Sequence, residues 1–580
     1  MPDGPVIVCG MGHVGYRVAL LLRRLGQPVT VVTDSAREAW LASAREAGVE
    51  VLIGDARDER LVTRAGLAEA RAIIAATDVD LVNVEIMLDA QRLRPGVPIV
   101  VRIFDRTLAA QLESSFAVRR ALATSSLAAP AFAAAAMGEH VIASVQADET
   151  VLVAGRVSAR EGDALAGRTP AEAAHRAGLA LMGVRRRGGD GSAREEGERV
   201  LQPGDQIVAI GPQAAWDALR PSEERAAAIS SSRIDARGAP DHHRGPIAFL
   251  RDMWRQAPSA LRLLLAVLVG LSVMSGVVFG LGLGLSPVDA VYYVVTTVTT
   301  TGYGDITPLR AAPWLKLYAS LLMVIGSATV AVLYSIITDY LVASRVLHAL
   351  GRQRPPQRDH VVLAGLGNLG YRVASELRRS GVAVVAIDKA DQVGFAEALR
   401  EDLPIVTGDA RLHATLCRAG AERARAVVAV TSDDTANLAA ALEARRINPG
   451  IRTVTRLFDA EFARKVQTSL GIDRALSASA VAAPTFAAAA LHEDVLRAFL
   501  DDDQLFALVL RACPDAWSGL SPKEIAARFG LLPLLHRRDG KERYSPCDPR
   551  QPIEAGARIV AVVCHPLVAP AGQVKEEDRE

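Results

Sequence analysis

The stretch Val6-Ile7-Val8-Cys9-Gly10-Met11-Gly12-His13-Val14-Gly15 reads as a short buried strand entering a glycine-rich turn, and residues 16–25 continue it as a helix. When G-x-G-x-x-G stands between a strand and a helix, its glycines allow a tight turn and the close approach of a pyrophosphate. The unpaired N–H groups of the helix N-terminus add positive potential. A second strand is expected over residues 29–32. Asp34 follows it, about twenty residues past the turn, where an acid binds a ribose hydroxyl. Further strands are expected at 49–53, 72–76 and 99–103, with helical patterns between them. Alternating strand and helix specify a doubly wound parallel sheet.

The same text returns later in the chain. Residues 361–373 read VVLAGLGNLGYRV against VIVCGMGHVGYRV at 6–18, so Gly365, Gly367 and Gly370 match Gly10, Gly12 and Gly15. Gly408-Asp409-Ala410 matches Gly54-Asp55-Ala56, and Thr431 and Asn437 match Thr77 and Asn83. Arg456, Phe458 and Asp459 match Arg102, Phe104 and Asp105, and residues 483–487 match 129–133. A repeat of this length is a duplicated domain rather than two chance motifs. The copies differ at one position: Asp388 ends a strand, whereas Thr33 holds that place in the first copy and Asp34 comes one residue later. A one-residue shift on a strand turns a side chain to the other face, so the second copy is expected to be the better ligand site.

Two uncharged apolar runs, 263–285 and 317–338, are long enough to span about 30 Å of hydrocarbon. Between them Ser286-Pro287-Val288-Asp289 starts a helix, with Ser as N-cap and Pro at its first position. That helix, expected over 287–299, is about 20 Å long, too short to cross a bilayer. It leads into Thr299-Thr300-Thr301-Gly302-Tyr303-Gly304-Asp305. Arg244, Arg251, Arg255 and Arg262 precede the first run, and Arg345, Arg352, Arg354 and Arg358 follow the second. The positive-inside rule then puts both flanking halves in the cytoplasm and the intervening loop outside.

Length and composition agree with several domains. The chain has 580 residues, 50% hydrophobic, with net charge +1, so no bulk attraction to nucleic acid is expected. Cys9, Cys417, Cys513, Cys547 and Cys564 are scattered without metal-ligand spacing and read as reduced, structural thiols. The apolar run at 6–10 is too short for a signal peptide. His242-His243, in a linker rich in Ser, Arg and Pro, reads as solvated rather than metal-binding.

Thr300-Thr301-Gly302-Tyr303-Gly304 resembles the selectivity filter of potassium channels, with Thr301 in place of the usual Val. In that family four such loops stack rings of backbone carbonyls that replace the hydration shell of K⁺. The resemblance implies a homotetramer binding K⁺ at the carbonyls of residues 300–304, with Asp305 just beyond them. It also implies that the Thr300 hydroxyl adds a ring and that Tyr303 braces the loop. Gly326, near the middle of the second span, is either the gating hinge that the resemblance suggests or a small residue allowing close helix packing. Asp339 falls at the inner mouth, either concentrating cations or ending the helix.

The loops holding Gly54-Asp55-Ala56, Ala76-Thr77-Asp78 and Val101-Arg102-Ile103-Phe104-Asp105 resemble the regulator-of-potassium-conductance (RCK) domain, also found in Trk and Ktr regulatory subunits. There, such loops surround an adenine nucleotide, so NAD, NADH, ATP or ADP is the implied ligand. The implied contacts in the first copy are Gly10, Gly12, His13, Gly15, Asp34, Asp55, Thr77 and Arg102. In the second they are Gly365, Gly367, Asn368, Gly370, Asp388, Asp409, Thr431 and Arg456. Asp78, Asp433 and Asp434 read as solvated turn acids or as ligands of a divalent cation.

The expected layout is a Rossmann-like lobe at 1–138 with a small α+β lobe at 139–220, a linker at 221–257, an all-α pore module with a re-entrant helix at 258–345, a linker at 346–357, a second Rossmann-like lobe at 358–494 with its α+β lobe at 495–570, and a tail at 571–580. Four chains would carry eight RCK domains in a cytoplasmic ring below the plasma membrane. Ring movement would then pull on the inner helices through residues 339–357. An enzyme reading lacks a substrate domain with an acid–base residue. A purely regulatory subunit would not need the intact loop at 300–304.

Overall fold

The computed structural model describes residues 4–116, 118–138, 141–148, 150–159, 167–186, 199–212, 215–216, 259–349, 358–389, 403–501, 504–538 and 544–567. The expected linker at 221–257, with His242, His243, Arg244, Arg251 and Arg255, lies outside them, as do Arg352, Arg354 and the tail at 571–580. The side chains of Arg262, Asp339 and Arg345 also lie outside the description. The chain divides into two units, one made of both flanking halves and one spanning residues 229–352.

In the first half β1 (Val6–Cys9), α1 (His13–Arg24), β2 (Val29–Thr33), α2 (Glu38–Glu46), β3 (Glu50–Ile53), α3 (Glu59–Arg64), β4 (Ala72–Ala75), α4 (Asp80–Leu93), β5 (Ile99–Arg102), α5 (Arg106–Ser115) and β6 (Arg120–Leu122) alternate. The strands form one parallel sheet in the order β3-β2-β1-β4-β5-β6. All of β1 and β4 is buried, as expected for uninterrupted apolar strands covered on both faces. The order reverses between β1 and β4, and the crevice beyond their C-terminal ends is where ligands enter such sheets.

Next come α6 (Thr124–Met137) and an antiparallel lobe of β7 (Val141–Ala147), β8 (Thr150–Ser158), α7 (Pro170–Arg176), β9 (Ala180–Arg185) and β10 (Gln206–Pro212), ordered β7-β8-β10-β9. A capping box between Thr169 and Glu172 starts α7.

The second unit holds α8 (Ser259–Leu283), α9 (Pro287–Val298) and α10 (Pro313–Ala349). Segments of α8 (Ala266–Leu283) and α10 (Pro313–Ser335) are long and apolar enough to cross a membrane. Ser286 caps α9: its Oγ accepts from the Asp289 N–H at 3.2 Å and donates to Asp289 Oδ2 at 2.7 Å. Phe279 of α8, Tyr293 and Val294 of α9, and Leu315 and Leu322 of α10 form the buried centre of this unit.

The second half repeats the first: β11 (Val361–Ala364), α11 (Asn368–Arg379), β12 (Val384–Asp388), β13 (Ile405–Thr407), α12 (His413–Arg418), β14 (Ala426–Ala429), α13 (Asp434–Ile447), β15 (Arg452–Arg456), α14 (Ala460–Ser469) and β16 (Arg474–Leu476). Its sheet has the same order, β13-β12-β11-β14-β15-β16. Helix α15 (Ala478–Leu491) leads to β17 (Val495–Asp501), β18 (Gln504–Ala512), α16 (Pro522–Phe529), β19 (Leu532–Arg537), β20 (Ser545–Pro546) and β21 (Arg558–Pro566).

The two halves are interlocked. Helix α6 packs its Ala128, Phe132 and Ala133 against Val361, Leu363 and Val373 of the second copy. Reciprocally, Ala483, Phe486 and Ala487 of α15 pack against Val6, Val8 and Val18 of the first. Both helices are apolar nearly all round and rich in alanine, and a helix of that kind is stable only when enclosed. Small side chains let each lie close to the sheet of the other copy. The antiparallel lobes also share a core, with Leu152 and Ile210 against Phe499, Phe506 and Leu508.

Candidate functional site

Each sheet has a cleft at its topological switch point, and the three motif glycines divide the work there. Gly10 and Gly365 have φ of +95° and +97°, a conformation that favours glycine. A Cβ on Gly15 would stand 2.0 Å from the Gly10 carbonyl oxygen, and one on Gly370 would stand 1.8 Å from the Gly365 oxygen. These last glycines therefore serve helix-to-strand packing. Gly12 and Gly367 have no heavy atom within 4 Å of where a Cβ would stand, so they border open cleft. They precede the first residues of α1 and α11, whose first-turn N–H groups have no partner within the helix and no side-chain cap.

The first cleft, about 680 Å³, is lined by Gly10, Gly12, His13, Asp34, Asp55, Thr77 and Arg102. The second, about 400 Å³, is lined by Gly365, Gly367, Asn368, Asp388, Asp409, Thr431 and Arg456. All the residues predicted to contact nucleotide except Gly15 and Gly370 therefore come together, seven in each cleft.

Each cleft also has a wall from the other copy. Arg456, Phe458 and Ser479 line the first, and Arg102, Phe104 and Thr124 line the second. The His13 ring stacks on Phe458 at 4.8 Å between centroids. Arg17 of α1 crosses to the second copy, donating from Nη2 to the Phe458 carbonyl at 2.9 Å and from Nε to Ser479 Oγ at 3.1 Å. Trp40 and Arg37 belong to the first cleft as well, with the Arg37 guanidinium 4.6 Å from the Trp40 ring centre. Sequence reasoning named His13, Arg102 and Arg456 but missed Arg17, Arg37, Trp40, Thr124 and Ser479. It also missed the crossing of Arg102, Phe104, Arg456 and Phe458 into the other copy's cleft, for which the paired Arg-x-Phe-Asp stretches at 102–105 and 456–459 were the one available signal.

A buried asparagine holds each cleft floor. Asn83 Oδ1 accepts from the Thr77 N–H at 2.9 Å and the Thr77 hydroxyl at 2.7 Å, while its Nδ2 donates to the Arg102 carbonyl at 2.9 Å. Asn437, Thr431 and Arg456 repeat this at 2.8, 2.7 and 3.1 Å. The acids differ between copies. Asp388 Oδ2 accepts from the Leu366 N–H at 2.7 Å, inside the glycine turn. In the first copy the Thr33 hydroxyl instead donates to the Ser35 carbonyl, and Asp34 Oδ1 accepts from the Ser35 hydroxyl.

Basic and acidic side chains share both clefts. Burial, then the charges of Arg37, Arg17, Arg456 and Arg102, pulls His13 down to about 4, so it is neutral at pH 7. The hydrogen bond from Arg411 holds Asp409 down to about 2, and Arg57 lowers Asp55 in the same way. Asp433 caps α13, accepting from the Thr435 and Ala436 N–H groups at 2.8 and 3.1 Å, and Asp434 Oδ2 accepts from the Phe458 N–H at 2.9 Å. Among the described residues, no three His, Cys, Asp or Glu side chains cluster as metal ligands.

In the other unit, α9 delivers the chain into the loop at 300–304. The N–H groups of Thr301 and Gly302 both donate to the Thr296 carbonyl, at 2.9 and 3.1 Å. Gly302 and Gly304 have φ of +47° and +78°, and Thr300 has φ of +59°, a strained value for a β-branched residue. Tyr303 is 71% exposed within the single chain, so any bracing contact has to come from outside it. Gly326 lies inside the uninterrupted helix α10, and a Cβ there would stand 3.1 Å from Val298 Cγ2.

The TrkA-N domain family matches residues 6–121 and 361–478, and the ion channel family matches 263–343. Potassium channel protein 1 of Methanocaldococcus jannaschii is 28% identical over 214 residues, 36% of this chain and 63% of that protein. The voltage-gated potassium channel Kch of Escherichia coli is 24% identical over 187 residues, 31% of this chain and 44% of that one. The chain spans about one third to two thirds of the length of the first curated relatives it matches. Among solved structures, the GsuK channel overlays with TM-score 0.51 at 17% identity, covering 97% of this chain and 76% of that one. The GsuK channel bound to NAD does so with TM-score 0.50 at 18% identity, with the same coverage. The chain is thus composed of two TrkA-N domains of Rossmann-like fold on either side, in sequence, of an ion-channel domain, and it is related to potassium channels of archaea and bacteria.

Proposed function

We propose that four copies of this chain form a potassium-selective pore in the plasma membrane, regulated by an adenine nucleotide bound in the clefts of cytoplasmic RCK domains. The observation that carries the reading is the loop at 300–304, held at the C-terminal end of a half-length helix between two span-length apolar helices. Non-helical backbone at membrane depth is tolerated where it lines a pore, and the partly negative end of α9 suits a cation. One loop supplies a quarter of a carbonyl ring, hence the tetramer and its eight-domain ring. Relatives named as potassium channels support K⁺ as the permeant ion.

The nucleotide reading rests on the open approach at Gly12 and Gly367, on the helix N-termini behind them, and on arginines in both clefts. A relative solved with NAD supports NAD as the first ligand to try. For binding to gate the pore, the ligand must prefer one conformation of the ring.

The test is K⁺ flux into liposomes holding the full-length protein, with and without NAD, NADH, ATP and ADP. Flux that changes with one nucleotide and vanishes in Gly302→Ala supports pore and gate together. Flux indifferent to every nucleotide retains the pore and refutes the regulation. Absence of flux from folded tetramers refutes the pore and favours a regulatory subunit.

A further inference from the structure

Arg102 and Arg456 each line both clefts, although they belong to different copies. Among the described residues, neither guanidinium lies in a salt bridge with a carboxylate. Arg102 Nη1 donates to the Thr77 carbonyl at 3.0 Å, and Arg456 Nη1 lies 3.5 Å from the Thr431 carbonyl. Each leans over an aromatic ring, Arg102 over Phe104 at 4.6 Å and Arg456 over Phe458 at 4.4 Å. The Nε of each is buried without a hydrogen-bond partner. Acids stand nearby without forming an ion pair: Asp78 and Asp80 favour the charged form of Arg102 and Asp434 that of Arg456, while Asp80 and Asp434 accept from the Phe104 and Phe458 N–H groups at 2.9 Å.

A buried guanidinium with an unpartnered donor and no ion-paired carboxylate is costly and favours an anion that completes its hydrogen bonds. Two clefts draw on the same two cations. On the basis of the nucleotide reading above, we infer that the clefts are a linked pair: each phosphate-bearing ligand uses both Arg102 and Arg456, so filling one cleft weakens the other. The first anion satisfies the shared donors and lowers the positive potential that the second would meet. Half-occupancy is then favoured over a wide range of ligand concentration, and the ring responds to nucleotide gradually. The sequence repeat alone suggests two independent sites. The interlocking of the copies makes them one.

The unobstructed positions of Gly12 and Gly367 supply the test, because a side chain there fills its own cleft without meeting protein. Both residues have ordinary negative φ, −73° and −67°, open to any residue. Gly12→Leu leaves only the second cleft open, and Gly367→Leu leaves only the first. ADP and NAD are titrated calorimetrically into each full-length protein. In the unaltered chain the second equivalent is expected to bind about tenfold more weakly than it binds the corresponding single-cleft protein, within the usual range of site coupling. The leucine occupies a cleft without charge, so it does not mimic the penalty. In the Gly12→Leu background, Arg102→Gln is expected to weaken binding at the second cleft about tenfold, and Arg102→Lys to restore most of it. Two clefts filling at their single-cleft affinities, or the second filling more tightly, overturn the linkage and leave the nucleotide reading intact. No binding of either probe to any folded variant overturns the nucleotide reading and the linkage with it.

Discussion

Asp388, the last residue of β12, accepts a 2.7 Å hydrogen bond from the Leu366 N–H within the Gly-x-Gly turn. The acid is thereby fixed at the mouth of the second cleft, with Oδ1 accepting from the Lys389 N–H at 2.7 Å. Its counterpart by strand position is Thr33, and among the described residues the neighbouring Asp34 is held by a hydrogen bond from the Ser35 hydroxyl alone. Asp388→Ala is expected to weaken nucleotide binding at the second cleft about tenfold, as for loss of a hydrogen bond to a charged group. Asp34→Ala is expected to change the first cleft by less than about threefold. Titration of the single-cleft proteins measures both, and equal losses would remove the asymmetry.

Gly302 sits at φ +47° in the loop after α9. Gly302→Ala forces a Cβ into a conformation that disfavours it, costing about 1 kcal/mol or more per chain, and four times over in the proposed tetramer. K⁺ flux is expected to fall to background while the size-exclusion profile stays that of the unaltered protein.

Gly326 lets α10 approach the end of α9, where a Cβ would stand 3.1 Å from Val298 Cγ2 and 3.4 Å from Val298 Cα. Gly326→Leu is expected to destabilise the pore module by about 1–3 kcal/mol through overpacking. Adding Val298→Ala should recover part of the thermal stability. A hinge role predicts no such rescue, and altered flux with unaltered stability.

Arg497 of β17 is only 4% exposed and donates to two carbonyls of the first copy, Ser144 at 3.0 Å and Leu127. Its removal leaves both carbonyls without their donor at the seam between copies. Arg497→Ala is expected to lower stability by about 1–3 kcal/mol, the cost of leaving buried acceptors without a donor. A shift of the thermal transition seen by tryptophan fluorescence would register it, since buried Trp517 lies in the same half.

His492 ends α15, and its Nε2 lies 2.7 Å from Nε2 of His565 on β21. That bond needs one neutral ring to accept. Burial, with the charges of His565, Arg71, Arg119 and Arg511, pulls His492 down to about 4. The unfolded chain binds the same proton near the model-peptide value of about 6.5. Between these values the unfolded state holds more protons, so stability falls as pH is lowered, by on the order of 2 kcal/mol between pH 7 and 5. His492→Gln should flatten this acid limb in thermal melts at pH 5, 6 and 7.

Local signals were enough for the two doubly wound sheets, the duplication, the two spans and the short helix between them. Strand alternation with helix, the φ demands of Gly10 and Gly365, and the Ser-Pro start at 286–287 act within a few residues of each other. The three-residue edge strands at Arg120–Leu122 and Arg474–Leu476 escaped notice because each carries a charge and no period. Tertiary structure decided what lies hundreds of residues apart: α6 on the second sheet, α15 on the first, and Arg17 on Phe458. An alanine-rich helix announces that it will be enclosed, but its composition does not name the surface that encloses it. The sequence by itself determined two copies of one cleft. Only the packing of those helices placed Arg102 and Arg456 in both, because contact between distant segments depends on complementary surfaces rather than on the spacing of residues along the chain.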